Sequence, residues 1–291
     1  MLRLVLPKGS LEEATLRLFE EADLALSRGS GVDYRASIDD PRVADVRVLR
    51  PQEIPRYVAS GLFDVGVTGR DWVEETGADI VTLTELHYSK ASDRPIRIVL
   101  AVAADSPWRA VTDLPSGVRI HTEYPELTRR YFEKHGVEAE ISLSYGATEA
   151  KVPEIADAIV ELTETGSALR AAGLKVLDTI LVSSTELIAN PVAHADPERR
   201  KAMEQIQTLL SGALEARGRV LVKLNVDEAR LDEVITLLPA LRSPTVSKLA
   251  GSGGYAVETV VPKSEINTLI PALKEHGATG IIELPIAKIV H

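Results

Sequence analysis

The segment Ala156-Asp157-Ala158-Ile159-Val160-Glu161-Leu162-Thr163-Glu164-Thr165-Gly166-Ser167-Ala168-Leu169 changes period midway. Its first half alternates as a strand, which puts Asp157, Ile159 and Glu161 on one face. Its second half, Glu164-Thr165-Gly166-Ser167, is a hydroxyl-bearing turn that opens a helix. Carboxylates toward the carboxyl end of a strand, followed by such a turn, predict an α/β fold with a ligand at that end of the sheet. Backbone N–H groups, two hydroxyls and the helix dipole suit a terminal phosphate. Acids beside a phosphate repel it unless they accept hydrogen bonds from the two hydroxyls of a ribose or hold Mg²⁺. A capped helix with solvated acids produces the same letters, so the stretch alone leaves both readings open.

The flanking chain repeats the alternation. Residues 3–6 read as a strand and Lys8-Gly9-Ser10 as a turn with free N–H groups. Leu11, Ala14, Leu18, Ala22 and Ala25 then recur at helical spacing. Ser10 and Glu13 have the spacing of a capping box. Strands are predicted at 46–49 and 64–68 with a helix over 51–60 between them, and the second strand turns at Gly69 into Arg70-Asp71-Trp72. A further unit has strands at 97–103, 118–122, 140–143, 158–162 and 175–182, with helices at 125–135 and 167–172. The pattern predicts α/β lobes with mostly parallel strands. One lobe comprises 1–91 plus 183–217, and 92–182 is inserted into it.

Asp196-Pro197-Glu198 is a strong helix start, and Gly218 is the stop. Beyond it come a strand at 220–226, a helix at 227–238, a hairpin over 245–261, a helix at 264–276 and a strand at 280–284. This βαββαβ order predicts a ferredoxin-like domain over 218–291. Gly251-Ser252-Gly253-Gly254 reads as a hairpin connection, because a phosphate loop needs a helix behind it.

The chain has 291 residues, enough for two or three domains. Hydrophobic residues make up 45% and charged residues 26%, which excludes disorder and collagen as the main architecture. No apolar run approaches the roughly 18 residues of a membrane helix, and the N-terminus lacks the pattern of a secretory leader. With no cysteine, thiolate metal sites and disulfides are excluded. A cytoplasmic location is the expectation. The net charge of -10, without a basic stripe, argues against nucleic acid as a partner. Phosphates, if bound, need local devices.

Several motifs then converge. Leu6-Pro7-Lys8-Gly9-Ser10-Leu11, Arg50-Pro51-Gln52-Glu53-Ile54-Pro55, Asp64-Val65-Gly66-Val67-Thr68-Gly69-Arg70-Asp71, Thr122-Glu123-Tyr124-Pro125 and Gly146-Ala147-Thr148-Glu149 occur in that order ahead of the acid-and-turn segment. That segment is similar to the phosphoribosyl-pyrophosphate (PRPP) motif of phosphoribosyltransferases. In order and spacing, nearly the whole chain resembles the long form of ATP phosphoribosyltransferase, which starts histidine biosynthesis. Two departures stand out: Ser10 replaces the family's usual Arg, and Ala168 stands where many members carry Thr or Ser.

The resemblance implies two periplasmic-binding-protein-like (type II) lobes with the active site in their cleft, and a regulatory ferredoxin-like domain. It implies that adenine N1 of ATP is joined to C1 of PRPP with release of pyrophosphate. Adenine N1 already carries a lone pair, so no general base is needed. Lys8 and Arg50 are the expected positive charges at the phosphates. Thr165, Gly166 and Ser167, flanked by Glu164 and Ala168, are expected to hold the ribose 5-phosphate, and Asp157 and Glu161 the ribose hydroxyls. Gly9, Thr68, Gly69, Asp71, Thr122 and Tyr124 are expected around ATP. Mg²⁺ is expected as cofactor, bound mainly through substrate phosphates. Histidine is implied as the inhibitor, with Asp232, Pro244 and Thr245 near it and Arg242 beside them. The family also implies a dimer that assembles into a hexamer. The rival readings are a two-lobed solute-binding protein and a catalytically silent regulatory paralogue.

Overall fold

The computed structural model describes residues 1–30, 33–88, 96–239, 243–251 and 253–291. Arg242 and Ser252 fall outside them. The chain separates into two compact units, Met1–Gln207 and Thr208–His291.

The first unit contains two sheets. Strands β1 (Leu2–Pro7), β2 (Leu26–Ser27), β3 (Arg35–Ile38), β4 (Val43–Leu49), β5 (Val65–Gly69) and β6 (Val81–Leu86) build the first lobe. Strands β7 (Ile96–Ala103), β8 (Val118–Thr122), β9 (Ala139–Leu143), β10 (Ala158–Thr163) and β11 (Leu174–Ser183) form the second, in the order β11-β7-β10-β8-β9. The chain returns through β12 (Thr185–Ala189) and completes the first sheet as β2-β3-β4-β1-β5-β12-β6. Helices α1 (Glu12–Glu21), α2 (Ile54–Ala59) and α3 (Arg70–Thr76) belong to the first lobe by sequence, and α4 (Pro125–His135) and α5 (Ser167–Ala171) to the second. This is a two-lobed, type II periplasmic-binding-protein-like α/β arrangement.

The expectation of mostly parallel strands needs correction. Parallel pairing is confined to β4-β1-β5 and β10-β8-β9. Strands β7, β11, β12 and β6 pair antiparallel to their neighbours. Strand β12 enters the first sheet straight from β11 of the second, with only Ser184 between them, so its direction is set by the crossing between sheets and not by a strand–helix–strand crossover. The capping box at Ser10 and Glu13 also does not form. Gly9 turns with φ 89°, α1 begins two residues after Ser10, and Glu12 rather than Glu13 reaches back to the Gly9 N–H at 3.3 Å.

Helices α6 (Pro191–Ala195) and α7 (Pro197–Ala216) follow. Asp196 caps α7 by accepting the Arg199 N–H at 2.9 Å. The division between the units falls inside α7 rather than at Gly218, because its last turns join the C-terminal tail: the Gly212 carbonyl accepts the Ile289 N–H at 2.9 Å.

The second unit runs β13 (Arg219–Asp227), α8 (Leu231–Leu237), β14 (Thr245–Lys248), β15 (Gly254–Pro262), α9 (Ile266–Glu275) and β16 (Thr279–Pro285). Its antiparallel sheet has the order β14-β15-β13-β16, which is the ferredoxin-like topology. The period-2 pattern of Val220, Val222, Leu224 and Val226 buries one face against Val234, Leu269 and Leu273 of the helices.

Strand β5 leads toward the site, and Gly66 allows helix α2 to approach it. A Cβ at Gly66 would lie 2.8 Å from Ile54 Cγ2 and 2.9 Å from Val58 Cγ2. Overpacking of this kind costs about 1–3 kcal/mol. Gly66→Ala is therefore expected to lower the urea midpoint of the full-length protein, with the slope of the transition unchanged.

Candidate active site

The lobes are fastened by the short helix α3. Its first turn carries Asp71, which is buried and accepts hydrogen bonds from Tyr124 Oη at 2.8 Å and Ser183 Oγ at 2.8 Å. Ser183 Oγ in turn accepts the Asp71 N–H at 3.1 Å. One turn later Glu75 accepts the N–H groups of Glu126 at 3.0 Å and Leu127 at 2.8 Å. Glu75 thereby caps the first turn of α4 from another element, satisfying donors that a helix leaves open. Trp72 packs on the core of the second lobe, 4.6 Å from the Tyr124 ring. Burial pushes the Asp71 carboxyl up, although its two hydroxyl donors oppose the shift. Burial, then the neighbouring Asp71, pushes the Tyr124 phenol far up, so the tyrosine is the permanent donor. Gly69 is required here, since a Cβ would sit 2.1 Å from Asp71 Oδ1.

A cavity of about 550 Å³ opens beside this contact. The first lobe lines it with Ser10, Leu11, Pro51, Gly69, Arg70, Asp71 and Trp72, and with the end of β6 at Glu85, Leu86, His87 and Tyr88. The second lobe contributes Ile96, Leu162, Glu164 and Val182, and the crossing strands contribute Ser183, Ser184 and Thr185. The volume lies within the usual range for small-molecule sites.

Next to the cavity-lining Leu162 and Glu164, β10 ends in the hydroxyl-bearing turn. Gly166 adopts φ 71° and donates its N–H to Thr163 Oγ1 at 2.9 Å. Thr165 Oγ1 and Ser167 Oγ are 2.9 Å apart, and both residues are exposed, as is Ala168. Arg170 closes the turn on the Thr165 carbonyl at 3.1 Å. Glu161 lies just upstream. Burial pushes its carboxyl up, and Glu123 and Glu149 add to that, while the Leu162 N–H and the Thr148 hydroxyl pull it down.

Asp157 requires correction. It precedes β10 at the amino end, where it accepts the Arg119 backbone N–H at 2.9 Å and the Arg119 guanidinium at 2.7 and 3.1 Å. Hydrogen bonds from Arg119 hold its carboxyl below the usual range. Four strand residues span about 13 Å at ~3.3 Å each, too far for Asp157 and Glu161 to grip one diol. Sharing a face is therefore not sharing a site.

Two of the expected ATP residues also have other partners. Thr68 is buried and donates to the Pro51 carbonyl at 2.9 Å. Thr122 is buried and accepts the Tyr124 N–H at 2.9 Å. Together with Tyr124 they shape the site rather than line it. Gly69 and Asp71 do line the cavity. Lys8, Gly9 and Arg50 meet at the carboxyl ends of β1 and β4: Lys8 N–H continues the ladder to the Leu49 carbonyl at 2.7 Å, and Arg50 Nη1 would be 3.7 Å from a Cβ at Gly9. Lys8 Nζ lies 4.2 Å from the Tyr34 ring centroid. Trp72, Leu162 and Tyr88 were not foreseen as lining residues. Trp72 follows Arg70-Asp71 directly, and that adjacency was the available signal. In the second unit Asp232 is exposed in α8 and Thr245 begins the edge strand β14, preceded by the half-buried Pro244. Among the described residues, no hydrogen bond or ion pair joins Asp232 to Pro244 or Thr245.

A hydroxyl-bearing turn at the end of a sheet strand, beside a cavity between two lobes, places the chain among two-lobed α/β proteins with a small-molecule site. Comparison with known proteins agrees. The family described as "ATP phosphoribosyltransferase" matches residues 50–212, and that described as "HisG, C-terminal domain" matches 216–288. The ATP phosphoribosyltransferase of Nitratidesulfovibrio vulgaris (strain Miyazaki F) is 50% identical, covering 100% of this chain and 98% of its own. That of Desulforudis audaxviator is 49% identical over 99% of both chains. The solved ATP phosphoribosyl transferase (HisG:HisZ) complex from Thermotoga maritima matches with a TM-score of 0.60 and 29% identity, covering 72% of this chain and 98% of that one. The chain belongs to the ATP phosphoribosyltransferase family of histidine biosynthesis, in the long form with the C-terminal domain.

The Asp71 contact makes a stability prediction. Tyr124→Phe leaves a buried carboxyl without its phenolic donor, which costs about 1–3 kcal/mol. Chemical denaturation should show a loss of that size, and an unchanged midpoint would mean that Asp71 finds an equivalent donor.

Proposed function

We propose that the chain transfers the phosphoribosyl group of PRPP to N1 of the adenine of ATP. The N1 lone pair forms the bond to C1 as the C1–O bond breaks, and the electron pair departs with pyrophosphate. No proton has to leave adenine before the attack, so the site needs positioning and charge stabilisation rather than a poised base. The observation that carries this reading is the junction at the end of β10. Glu161, Glu164 and the Thr165–Gly166–Ser167 turn follow one another there at the edge of a cavity, with Leu162 and Glu164 among its lining.

In this reading the turn and its two hydroxyls bind the ribose 5-phosphate, and Glu161 accepts from the ribose diol. Lys8 and Arg50 face the pyrophosphate and the ATP phosphates; Arg suits bidentate phosphate contact. Gly69 and Asp71 border the adenosine, with Trp72 and Leu162 as apolar walls. Among the described residues no group of three or more His, Cys, Asp or Glu side chains forms a metal cage. A cation that arrives with the substrate phosphates and keeps its waters suits such a site. Mg²⁺ held mainly by the substrate phosphates would neutralise the diphosphate.

We further propose that lobes 1–91 with 183–217 and 92–182 share the catalytic work, while 218–291 binds histidine and assembles the chain into a dimer and then a hexamer. Coupling between such sites is typically about 1–3 kcal/mol.

Purified protein with ATP, PRPP and Mg²⁺ is expected to yield an adenine-modified nucleotide and pyrophosphate in equal amounts by mass spectrometry and phosphate assay. Absence of both products, with both substrates bound, would support a silent paralogue instead. Asp232→Asn is expected to weaken histidine inhibition at unchanged kcat. Full inhibition in that variant would move the effector site elsewhere.

A further inference from the structure

The cavity beside α3 contains a cation that neither the interlobe contact nor the hydroxyl-bearing turn uses. Arg70 follows Gly69 at the end of β5 and lines the cavity as an exposed residue. Its backbone N–H donates to the Ser184 carbonyl at 2.9 Å, which holds it against the start of β12. Its guanidinium has no hydrogen-bond or ion-pair partner among the described residues. Among the described lining residues it is also the sole lysine or arginine.

In a chain of net charge -10 an arginine readily finds an acid, as Arg3 finds Asp64 at 3.0 Å and Arg28 finds Glu12 at 2.8 Å. The acids on the elements around Arg70 are engaged elsewhere. Asp71 accepts from Tyr124 and Ser183, Glu75 from the first turn of α4, and Glu186 from Thr82 Oγ1 at 3.2 Å. The hydroxyls beside Arg70 are open. Thr185 stands opposite Gly69 in the β5–β12 pair, and Ser184 precedes it. Both are half-buried and line the cavity, and neither hydroxyl bonds another described residue. A guanidinium fork matches two oxygens of one anion. A carboxylate is used up by that fork, whereas a phosphate has further oxygens for the two hydroxyls.

The chain offers three separate places for phosphate. The Thr165–Ser167 turn follows β10 in the second lobe, and Lys8 and Arg50 gather at the carboxyl ends of β1 and β4. Arg70 stands at the end of β5, directly between Gly69 and Asp71, the two residues read as bordering the adenosine. We infer that Arg70, with the Ser184 and Thr185 hydroxyls, recognises the outer phosphates of ATP. The inference rests on the reading of this cavity as the ATP site and adds a third cation to Lys8 and Arg50, on the nucleotide side. It also accounts for how the cavity tolerates a nucleotide of high charge. Glu85 and Glu164 are in its lining, and an acidic wall repels a triphosphate unless a cation is placed locally against it.

The test is calorimetric binding of ATP and of AMP, each with Mg²⁺, to the full-length protein, together with steady-state KM values. Arg70→Gln is expected to weaken ATP about tenfold while AMP and the KM for PRPP stay within about twofold. Arg70→Lys keeps the charge without the fork and is expected to recover part of the loss. Ser184→Ala is expected to weaken ATP about threefold, again with AMP little changed. Unchanged ATP binding in Arg70→Gln, equal weakening of ATP and AMP, or a loss that falls on PRPP instead overturns the inference. Binding is read without turnover, so the two levels fail separately. ATP bound by the unaltered protein with no product formed from PRPP defeats the transferase reading. Product formed by Arg70→Gln at an unchanged KM for ATP defeats the role of Arg70 alone.

Discussion

The molecule depends on a buried carboxyl held between two lobes. Asp71 belongs by sequence to the first lobe, Tyr124 to the second, and Ser183 to the end of the strand that crosses back. A carboxyl without these donors would be a costly buried group. With them it ties three separate parts of the chain to one point. Glu75 repeats the device at the next turn of α3, and α4 begins where its two bonds are made. Asp71 and Glu75 are four residues apart on a helix and therefore share a face. One face of one short helix thus sets how the end of β5 meets the start of α4, and the cavity lies beside it.

That constraint bears on how an acidic protein can handle two polyanionic substrates. A net charge of -10 offers no general attraction, so recognition has to be local. Lys8 and Arg50 come together because β1 and β4 are parallel neighbours whose carboxyl ends coincide. Burial alone would raise Glu12, but the Arg28 guanidinium and the Gly9 N–H outweigh it, so an ionised acid sits beside this basic turn. Asp157 and Asp64, farther away, are paired with Arg119 and with Arg3, the latter at 3.0 Å.

Much of this architecture was legible in the sequence, because helical and strand periodicities report burial directly. The βαββαβ order of the second unit was read from the pattern, and helix α4 was read with both its bounds. The antiparallel strands at the crossing were not, since pairing direction depends on where the chain goes next and leaves no local period. The same limit applies to the site. The Asp157–Glu161 spacing correctly indicated one face, but a strand face is long, and only the pairing with Arg119 shows that Asp157 stands at the far end. Thr68, Thr122 and Tyr124 were recognised as important from their motifs; that their polar atoms are turned inward is a property of packing. Glu75 carried no motif, because its partners are backbone N–H groups of a helix fifty residues away.

The two departures from the family pattern also become intelligible in space. Ser10 removes a guanidinium from the turn after β1, yet Arg50 already approaches Gly9 from β4, so positive charge remains where the turn opens. The small Ser10 side chain lines the cavity in its place. At the other turn Ala168 lacks a hydroxyl, but Thr165 and Ser167 present two, side by side and exposed. A phosphate has several acceptor oxygens and needs donors at suitable distances rather than donors at one prescribed position. Each turn therefore still presents charge or hydroxyl groups at its surface, Arg50 beside Gly9 in one and Thr165 with Ser167 in the other.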